Sequence, residues 1–237
     1  MRTGHGESPP RLEEVRREID RIDDAMLALL EERFAVVAQV RAAKLAETGP
    51  KRAAFRPARE AQVLRRLLAA AGPHVPRGLL VRLWRSIMGS ATQQQGALAV
   101  HASRALLADA NAASLIGTQF DVITTHPDLA TAMEAARAGG IAAVGLFEDF
   151  APRLGALKVI GTLGVNRPAI LLIGDASLAE PSGEDETLIA CATPPAHALW
   201  ASHGLAGISG FLEPGEIPAG CEFLGRYPRP PAIEETR

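Results

Sequence analysis

The sequence predicts two regions of different fold class, an N-terminal all-α domain of three helices and a small α/β domain after it. In the first region, apolar residues recur at intervals of three and four, which is the period of an amphipathic helix. After about residue 103, short apolar runs bounded by glycine and proline are typical of strands. The composition changes at the same place, because most of the arginine lies before it and most of the glycine and proline after it.

The first helix is the longest element that the sequence predicts. Extended to Lys44, it is about 50 Å long at 1.5 Å per residue. A helix of this length needs a partner of similar length, so the pattern indicates coiled packing. Its apolar seam consists of Leu12, Val15, Ile19, Ile22, Met26, Leu29, Val36 and Val40.

Two shorter helices follow. Gly49 and Pro50 end the first helix, and Pro57 suits the first turn of a second helix over roughly 57–70. A third helix is expected from about Arg77 to Leu98. Its apolar stripe consists of Leu80, Trp84, Ile87, Ala91 and Leu98. Residues 1–10 are then a flexible tail, and residues 11–102 are expected to form one helical domain.

Residues 103–227 are expected to form the α/β domain. The stretch 120–147 predicts strand, helix and strand, and later apolar runs predict further strands at LKVIGTL, AILLIG, TLIACA, GISGFL and CEFLGRY. Another helix is expected near PPAHALWASHGL. Residues 228–237 are expected to be an extended, solvated tail.

Charge and cysteine content exclude several classes of function. The net charge of −2 gives no general attraction to nucleic acid or to an anionic membrane, so neither is expected as a partner. Cys191 and Cys221 form no CxxC pair, so neither a disulfide framework nor a bound metal is expected. The chain shows neither a signal peptide nor the roughly 18 apolar residues of a membrane span, which favours the cytoplasm.

Four polar residues stand where the helical period predicts apolar ones. These are Arg33 and Lys44 in the first helix, Glu60 in the second and Gln95 in the third. A buried charge without a partner is costly. One interpretation is therefore structural: an Arg33–Glu60 ion pair, with Lys44 and Gln95 at exposed ends. The other is a pocket for a small anion inside a helical bundle.

Three segments carry a resemblance that favours the second interpretation. RREIDRIDDAMLALLEERFAVVAQVRAAK, FRPAREAQVLRRL and LWRSIMGSATQQQ resemble, in order, the three helices of the all-helical (AroQ-type) chorismate mutases. The resemblance covers about residues 11–100. It implies an intertwined homodimer with shared active sites that rearranges chorismate to prephenate, in the biosynthesis of phenylalanine and tyrosine.

The resemblance also implies roles for individual residues. Arg16 and Arg33 are similar to the family's arginines that bind the two substrate carboxylates. Lys44 and Gln95 fall where the family hydrogen-bonds the ether oxygen of the substrate. The rearrangement is intramolecular, so binding the reactive conformer and stabilising the charge on that oxygen suffice, and no cofactor is expected.

The second helix contributes a further pair. Arg59 and Glu60 match the family's arginine and glutamate at the start of this helix, where the glutamate meets the substrate hydroxyl. Two positions depart from the pattern: Arg56 replaces an aspartate found in some members, and Ala91 replaces a serine.

The α/β region has a weaker resemblance. Its position and the stretch PSGEDETLIACA are similar to a shortened form of the dehydratase and regulatory regions that follow the mutase in bifunctional mutase–prephenate dehydratases. The Thr-Arg-Phe motif of those dehydratases is missing, so a structural or metabolite-sensing role is expected instead.

Two alternatives remain open for the chain as a whole. One is an isochorismate-pyruvate lyase on the same helical scaffold, which needs the same anion clamp. The other is a non-catalytic helical dimer whose second region senses a metabolite.

Overall fold

A computed structural model describes residues 11–48, 55–95 and 98–233. In the first helix, side chains are described up to residue 39 and at residue 42. By its internal contacts the chain divides into two compact units between residues 51 and 52. No described helix combines the length and apolarity that crossing a membrane requires.

The first unit contains helix α1, Leu12–Thr48, which extends over 37 residues and confirms the long helix that the sequence predicts. Ion pairs between neighbouring turns, such as Arg16–Glu13 at 2.8 Å, lie along its surface. The apolar seam of α1 is exposed in this chain: Ile19 is 52% and Leu29 is 65% accessible. A seam of this kind is where a second helix would pack.

The second unit contains the two other predicted helices. Helix α2 is Pro57–Ala70, with its proline in the first turn as expected, and α3 is Arg77–Gln95. The two helices pack on each other through Leu68, Leu80 and Val81. Both also contact the α/β part of the chain, α3 through the helix Ala110–Gln119 and α2 through the sheet.

Three more helices follow, α4 at Arg104–Ala108, α5 at Ala110–Gln119 and α6 at Leu129–Ala138. Each begins at a residue whose side-chain oxygen accepts a hydrogen bond from a backbone N–H of the first turn. These capping residues are Ser103, Asp109 and Asp128.

The described strands form one mixed sheet in the order β2-β1-β3-β5-β4-β9-β6-β8-β7. The β1–β2, β1–β3 and β4–β9 pairs are parallel and the others are antiparallel. The strand bounds are β1 Val100–Ser103, β2 Ile123–His126, β3 Ile141–Gly145, β4 Leu157–Leu163, β5 Ile170–Asp175, β6 Asp185–Ala190, β7 Trp200–Ser202, β8 Leu205–Ser209 and β9 Glu222–Pro228.

The core lies on both faces of this sheet, because successive residues of a strand point to opposite sides. In β5, Ile170 and Leu172 pack in the same cluster as α5, whereas Leu171 and Ile173 pack in the cluster that contains α6. This alternation confirms an α/β region. Helices α3 and α5 also contact each other directly.

The structure differs from the sequence-based expectation at several elements. The helix expected near PPAHALWASHGL is wrong: the stretch contains a turn and then β7, which pairs antiparallel with β8. The stretch contains a strand because it pairs with β8, and the pattern of apolar residues within one segment does not reveal such pairing. The pattern also left out β1, α4 and α5. Helix α3 ends at Gln95, and residues 96 and 97 lie outside the described ranges.

The C-terminal stretch is extended as expected, but it is not solvated up to residue 233. Pro230 and Pro231 are buried, and the carbonyl of Pro231 accepts a hydrogen bond of 2.9 Å from the backbone N–H of Asn166. The Asn166 side chain in turn accepts a 2.8 Å bond from the backbone of Ile233. The described end of the chain is therefore held against the second unit.

Candidate active site

Glu60 lies in the first turn of α2 and lines a small cavity in the second unit. The cavity has a volume of about 40 Å³, enough for about three water molecules but not for a ten-carbon diacid. Glu60 itself keeps some exposed surface. Polar residues contribute to the wall from several elements, namely Arg85 from α3, Gln119 from α5, Thr162 from β4 and Arg229 after β9.

The carboxyl of Glu60 is bound by a residue of the α/β part. Gln119 Nε2 donates a hydrogen bond of 2.9 Å to Glu60 Oε2. Burial raises the pKa of Glu60 to about 7, while the positive charge of Arg85 and the Gln119 bond act in the opposite direction. Glu60 therefore changes its charge near neutral pH.

Arg85 is buried on α3, with 6% of its surface exposed. Burial lowers its pKa to about 10, and the charge of Glu60 partly offsets this effect. Its guanidinium donates a 2.9 Å hydrogen bond from Nη2 to the carbonyl of Gly164. Arg85 thus stays cationic at neutral pH and supplies a fixed positive charge beside Glu60.

A close contact between two helices sets the place of Gln119. A Cβ built at Gly89 of α3 would lie 1.8 Å from the backbone oxygen of Gln119, so glycine is required for α3 to approach the end of α5. The next residue, Phe120, stacks edge-on against Phe55 with ring centroids 5.7 Å apart. The last turn of α5 is therefore packed against both α3 and the start of α2.

The arginines of α2 have separate uses. Arg56, at the position where some family members have aspartate, forms a 2.8 Å ion pair with Glu180. Arg65 donates a 2.7 Å hydrogen bond from Nη2 to the Ser182 carbonyl. Arg59 is exposed. Two of these arginines therefore connect α2 to the loop before β6, and Arg59 is free of that loop in the described contacts.

A second buried polar group borders the same cavity. Glu186 Oε2 accepts hydrogen bonds from the Tyr227 hydroxyl at 2.7 Å and from Trp200 Nε1 at 2.9 Å. Arg229 Nε lies 3.2 Å from Glu186 Oε1 as an ion pair, without the alignment of a hydrogen bond. Burial, followed by the charge of Glu186, raises the pKa of Tyr227 well above its ordinary value. This group anchors Arg229 at the cavity wall.

Three predicted site residues lie on α1, and their contacts are given within this first unit alone. Arg16 is exposed and pairs with Glu13. Arg33 is half-buried, and its Nη1 atom has no hydrogen-bond partner among the described residues. Burial lowers the pKa of Arg33. Lys44 lies in the last turns of α1, and its side chain falls outside the described residues.

Gln95 is the last residue of α3 and is half-buried, with its side chain engaged in an interaction. Of the predicted site residues that the structure describes in the second unit, Glu60 lines the cavity, and Arg59 and Gln95 are not part of its lining. In the described ranges, no three His, Cys, Asp or Glu side chains are grouped in a way that could hold a metal ion.

The sequence analysis missed Arg85 and Gln119. A signal for Arg85 did exist, because Val81, Arg85, Met88 and Thr92 share one helical face and all are buried. That face is turned by about 100° from the predicted stripe through Leu80, because the two differ by one residue. Gln119 had no signal of its own, since α5 was not predicted and the bond to Glu60 spans 59 positions.

Comparison with known proteins gives a family match for the helical part of the chain. No curated protein and no solved structure matches the chain. The similarity of the second region to dehydratase and regulatory regions therefore remains a prediction. A family model described as chorismate mutase type II matches residues 15–96, about a third of the chain, and covers nearly all of α1, α2 and α3. Residues 15–96 of this chain are similar to the chorismate mutase type II family.

Proposed function

We propose that this protein is a chorismate mutase that converts chorismate to prephenate. The observation that carries the proposal is the family match over residues 15–96, which includes every candidate site residue. The buried Nη1 of Arg33, which has no hydrogen-bond partner in the described part of the chain, supports it, since such a guanidinium atom favours an anionic ligand. Prephenate would then serve the synthesis of phenylalanine and tyrosine.

The reaction needs binding and charge stabilisation rather than a nucleophile. The ether C–O bond breaks while a new C–C bond forms in the same substrate molecule, and no proton or electron leaves it. Arg16, Arg33 and Arg59 would hold the substrate in its folded conformer. Lys44 and Gln95 would donate to the ether oxygen, where negative charge develops in the transition state.

Glu60 would accept a hydrogen bond from the substrate hydroxyl. The ionised carboxylate serves this role best, because both of its oxygens accept and a charged acceptor forms the stronger hydrogen bond, whereas a protonated carboxyl also donates one. Since the pKa of Glu60 is about 7, we expect the mutase activity to rise with pH through the neutral range.

The proposed active unit is a homodimer with shared sites. Arg16 and Arg33 are 17 positions apart on α1, about 25 Å along the axis, which is too far for both to bind one small diacid. In a two-fold dimer with antiparallel α1 helices, Arg16 of one chain approaches Arg33 of the other. The exposed seam of α1 supports this arrangement, because it offers the partner helix a continuous apolar surface.

The test is to incubate the purified full-length chain with chorismate and to identify the product by chromatography. Prephenate is the expected product. Gln95→Ala should abolish most of the turnover, whereas Gln94→Ala, a matched change at an exposed neighbour, should not. Release of pyruvate from isochorismate without prephenate formation would favour the lyase. Turnover of neither substrate would favour the non-catalytic dimer.

A further inference from the structure

A single hydrogen bond connects the mutase-family glutamate to a residue outside the family match. Gln119 lies 23 positions beyond the last matched residue, 96, yet its Nε2 donates to Glu60 Oε2 at 2.9 Å. Gln119 is 2% exposed. A buried side-chain amide has few alternative orientations, so its hydrogen bond restricts the rotamers available to Glu60.

The surroundings hold the Gln119 amide in place. The backbone oxygen of Gln119 lies so close to Gly89 that only glycine fits at position 89. Helix α5 ends at Gln119, and the N–H of the following residue, Phe120, donates a hydrogen bond to the carbonyl of Ile116. Two charged residues also face the Glu60 cavity from other elements, Arg85 on α3 and Arg229 after β9. Both are cations, so neither can accept the amide hydrogens of Gln119 in place of Glu60.

We propose that Gln119 is a positioning residue for the mutase reaction, which holds Oε2 of Glu60 and leaves Oε1 to accept the substrate hydroxyl. This inference rests on the proposed function of the chain. A carboxylate has two oxygens with separate lone pairs, so one amide donor and one hydroxyl donor can bind it together. The α/β region is thereby part of the catalytic apparatus as well as a neighbour of it.

The hydrogen bond from Gln119 also affects the charge of Glu60. A hydrogen bond donated to a carboxylate favours its ionised form, and Glu60 must be ionised to act only as an acceptor. Without the Gln119 donor, Arg85 alone would oppose the effect of burial. The variant protein would then need a higher pH to reach the same activity.

The decisive variant is Gln119→Met in the full-length protein, which keeps the length of the side chain and removes the donor. We expect kcat/KM at pH 7 to fall roughly tenfold. The free energy of a hydrogen bond to a charged group, taken at the lower limit of its usual range, corresponds to about this factor. We also expect the acid limb of the pH profile to move up by about one pH unit, so that part of the activity returns at alkaline pH. Gln119→Glu should move the limb further, since two adjacent carboxyls share one proton.

The matched control is Gln62→Met. Gln62 is also a glutamine that connects α2 to the α/β part, but its side-chain amide donates to the Ser182 carbonyl, at 3.4 Å, rather than to Glu60. Its substitution should leave both kcat/KM and the pH profile unchanged. Circular dichroism and thermal unfolding of each variant establish that it is folded.

Several outcomes would overturn the inference. One is a folded Gln119→Met protein with the wild-type rate and profile; another is a loss of activity that is equal at every pH. If neither Gln119 variant folds, NMR of the wild-type protein provides the test instead. Its Gln119 side-chain amide signal should shift as Glu60 titrates and should not do so in Glu60→Gln; a signal that stays constant contradicts the bond. A wild-type chain that leaves chorismate unchanged refutes the proposed function first, and the inference with it.

Discussion

Gly89 of α3 and Gln119 of α5 touch through their backbones, and a Cβ at position 89 would come within 1.8 Å of the Gln119 oxygen. No side-chain rotation relieves such a contact, because the obstructing atom belongs to the backbone. This contact keeps the mutase-family helix α3 beside the helix that provides the hydrogen-bond donor for Glu60.

We therefore expect Gly89→Ala to destabilise the protein by about 1–3 kcal/mol, as overpacking does, and to reduce mutase activity by displacing Gln119. Urea unfolding measures the first effect and kcat/KM the second. Gly78→Ala on the same helix is the matched control. Its new Cβ meets Arg82 at 3.5 Å, an ordinary contact, so the change should be neutral or stabilise by up to about 1 kcal/mol. Equal stability of the two variants would contradict the close approach.

Glu60 should make the stability of the protein depend on pH. Its pKa is raised from 4.5 to about 7 on folding, so below pH 4.5 both states are protonated and Glu60 imposes no cost. As pH rises toward 7 the unfolded chain loses the proton first, and the free energy of unfolding falls by about 3 kcal/mol at 1.36 kcal/mol per pKa unit.

Glu60→Gln should remove this fall. The measurement is urea unfolding of both proteins at several values between about pH 4.5 and 8. Glu18→Gln, the same change at an exposed ion pair of α1, is the control and should leave the slope as it is in the wild type. Parallel stability curves for the wild type and Glu60→Gln would show that the carboxyl of Glu60 is not buried.

The sequence predicts one helical domain over residues 11–102, and a fragment of residues 1–102 tests whether this part is stable without the rest of the chain. In the structure, α2 and α3 also contact the α/β part, and the fragment loses these contacts. Buried residues of these helices, such as Leu64 and Met88, lie in the same unit as the sheet, and the fragment also lacks Gln119. We expect the fragment to be less stable than the full chain by several kcal/mol, because buried apolar surface becomes exposed. Circular dichroism with urea titration tests this. A fragment as stable and as active as the full chain would refute it.

Mixed dimers test the shared site. Arg16→Ala and Arg33→Ala should each be nearly inactive as homodimers, since every site then lacks one arginine. A mixed dimer has one site with both arginines and one with neither. Co-refolding equal amounts makes roughly half the dimers mixed, so activity should return to roughly a quarter of the wild-type value. Mass spectrometry verifies the mixed dimers, and a mixture that contains them but gains no activity excludes the shared site.

Cys191 should react slowly with alkylating agents. It is 9% exposed, and burial, followed by a hydrogen bond with Cys221, raises the pKa of its thiol. Because the thiolate is the reactive form, both effects slow the reaction. A time course with iodoacetamide at about pH 8, read by peptide mass spectrometry, should label Cys221 before Cys191. The opposite order would contradict the burial of Cys191.

Several features followed from the sequence by itself. The period of the apolar residues and the position of Pro57 determined α1, α2 and the start of α3, because helix formation and helix ends depend on neighbours a few positions away. The same local signals predicted α6 and the strands β2, β3, β4, β5, β6, β8 and β9. The order of the family segments also identified the helical region as similar to chorismate mutases, which the family match confirms.

Only the tertiary structure decided how Glu60 is held. Its polar character on an apolar stripe marked it as a site residue, but the donor that it binds lies 59 positions away on a helix without a strong period. Arg85 was hidden for a related reason, since the acceptor of its hydrogen bond, the carbonyl of Gly164, lies 79 positions away in the α/β part. Such contacts arise from packing between distant segments, and no pattern confined to one segment contains that information.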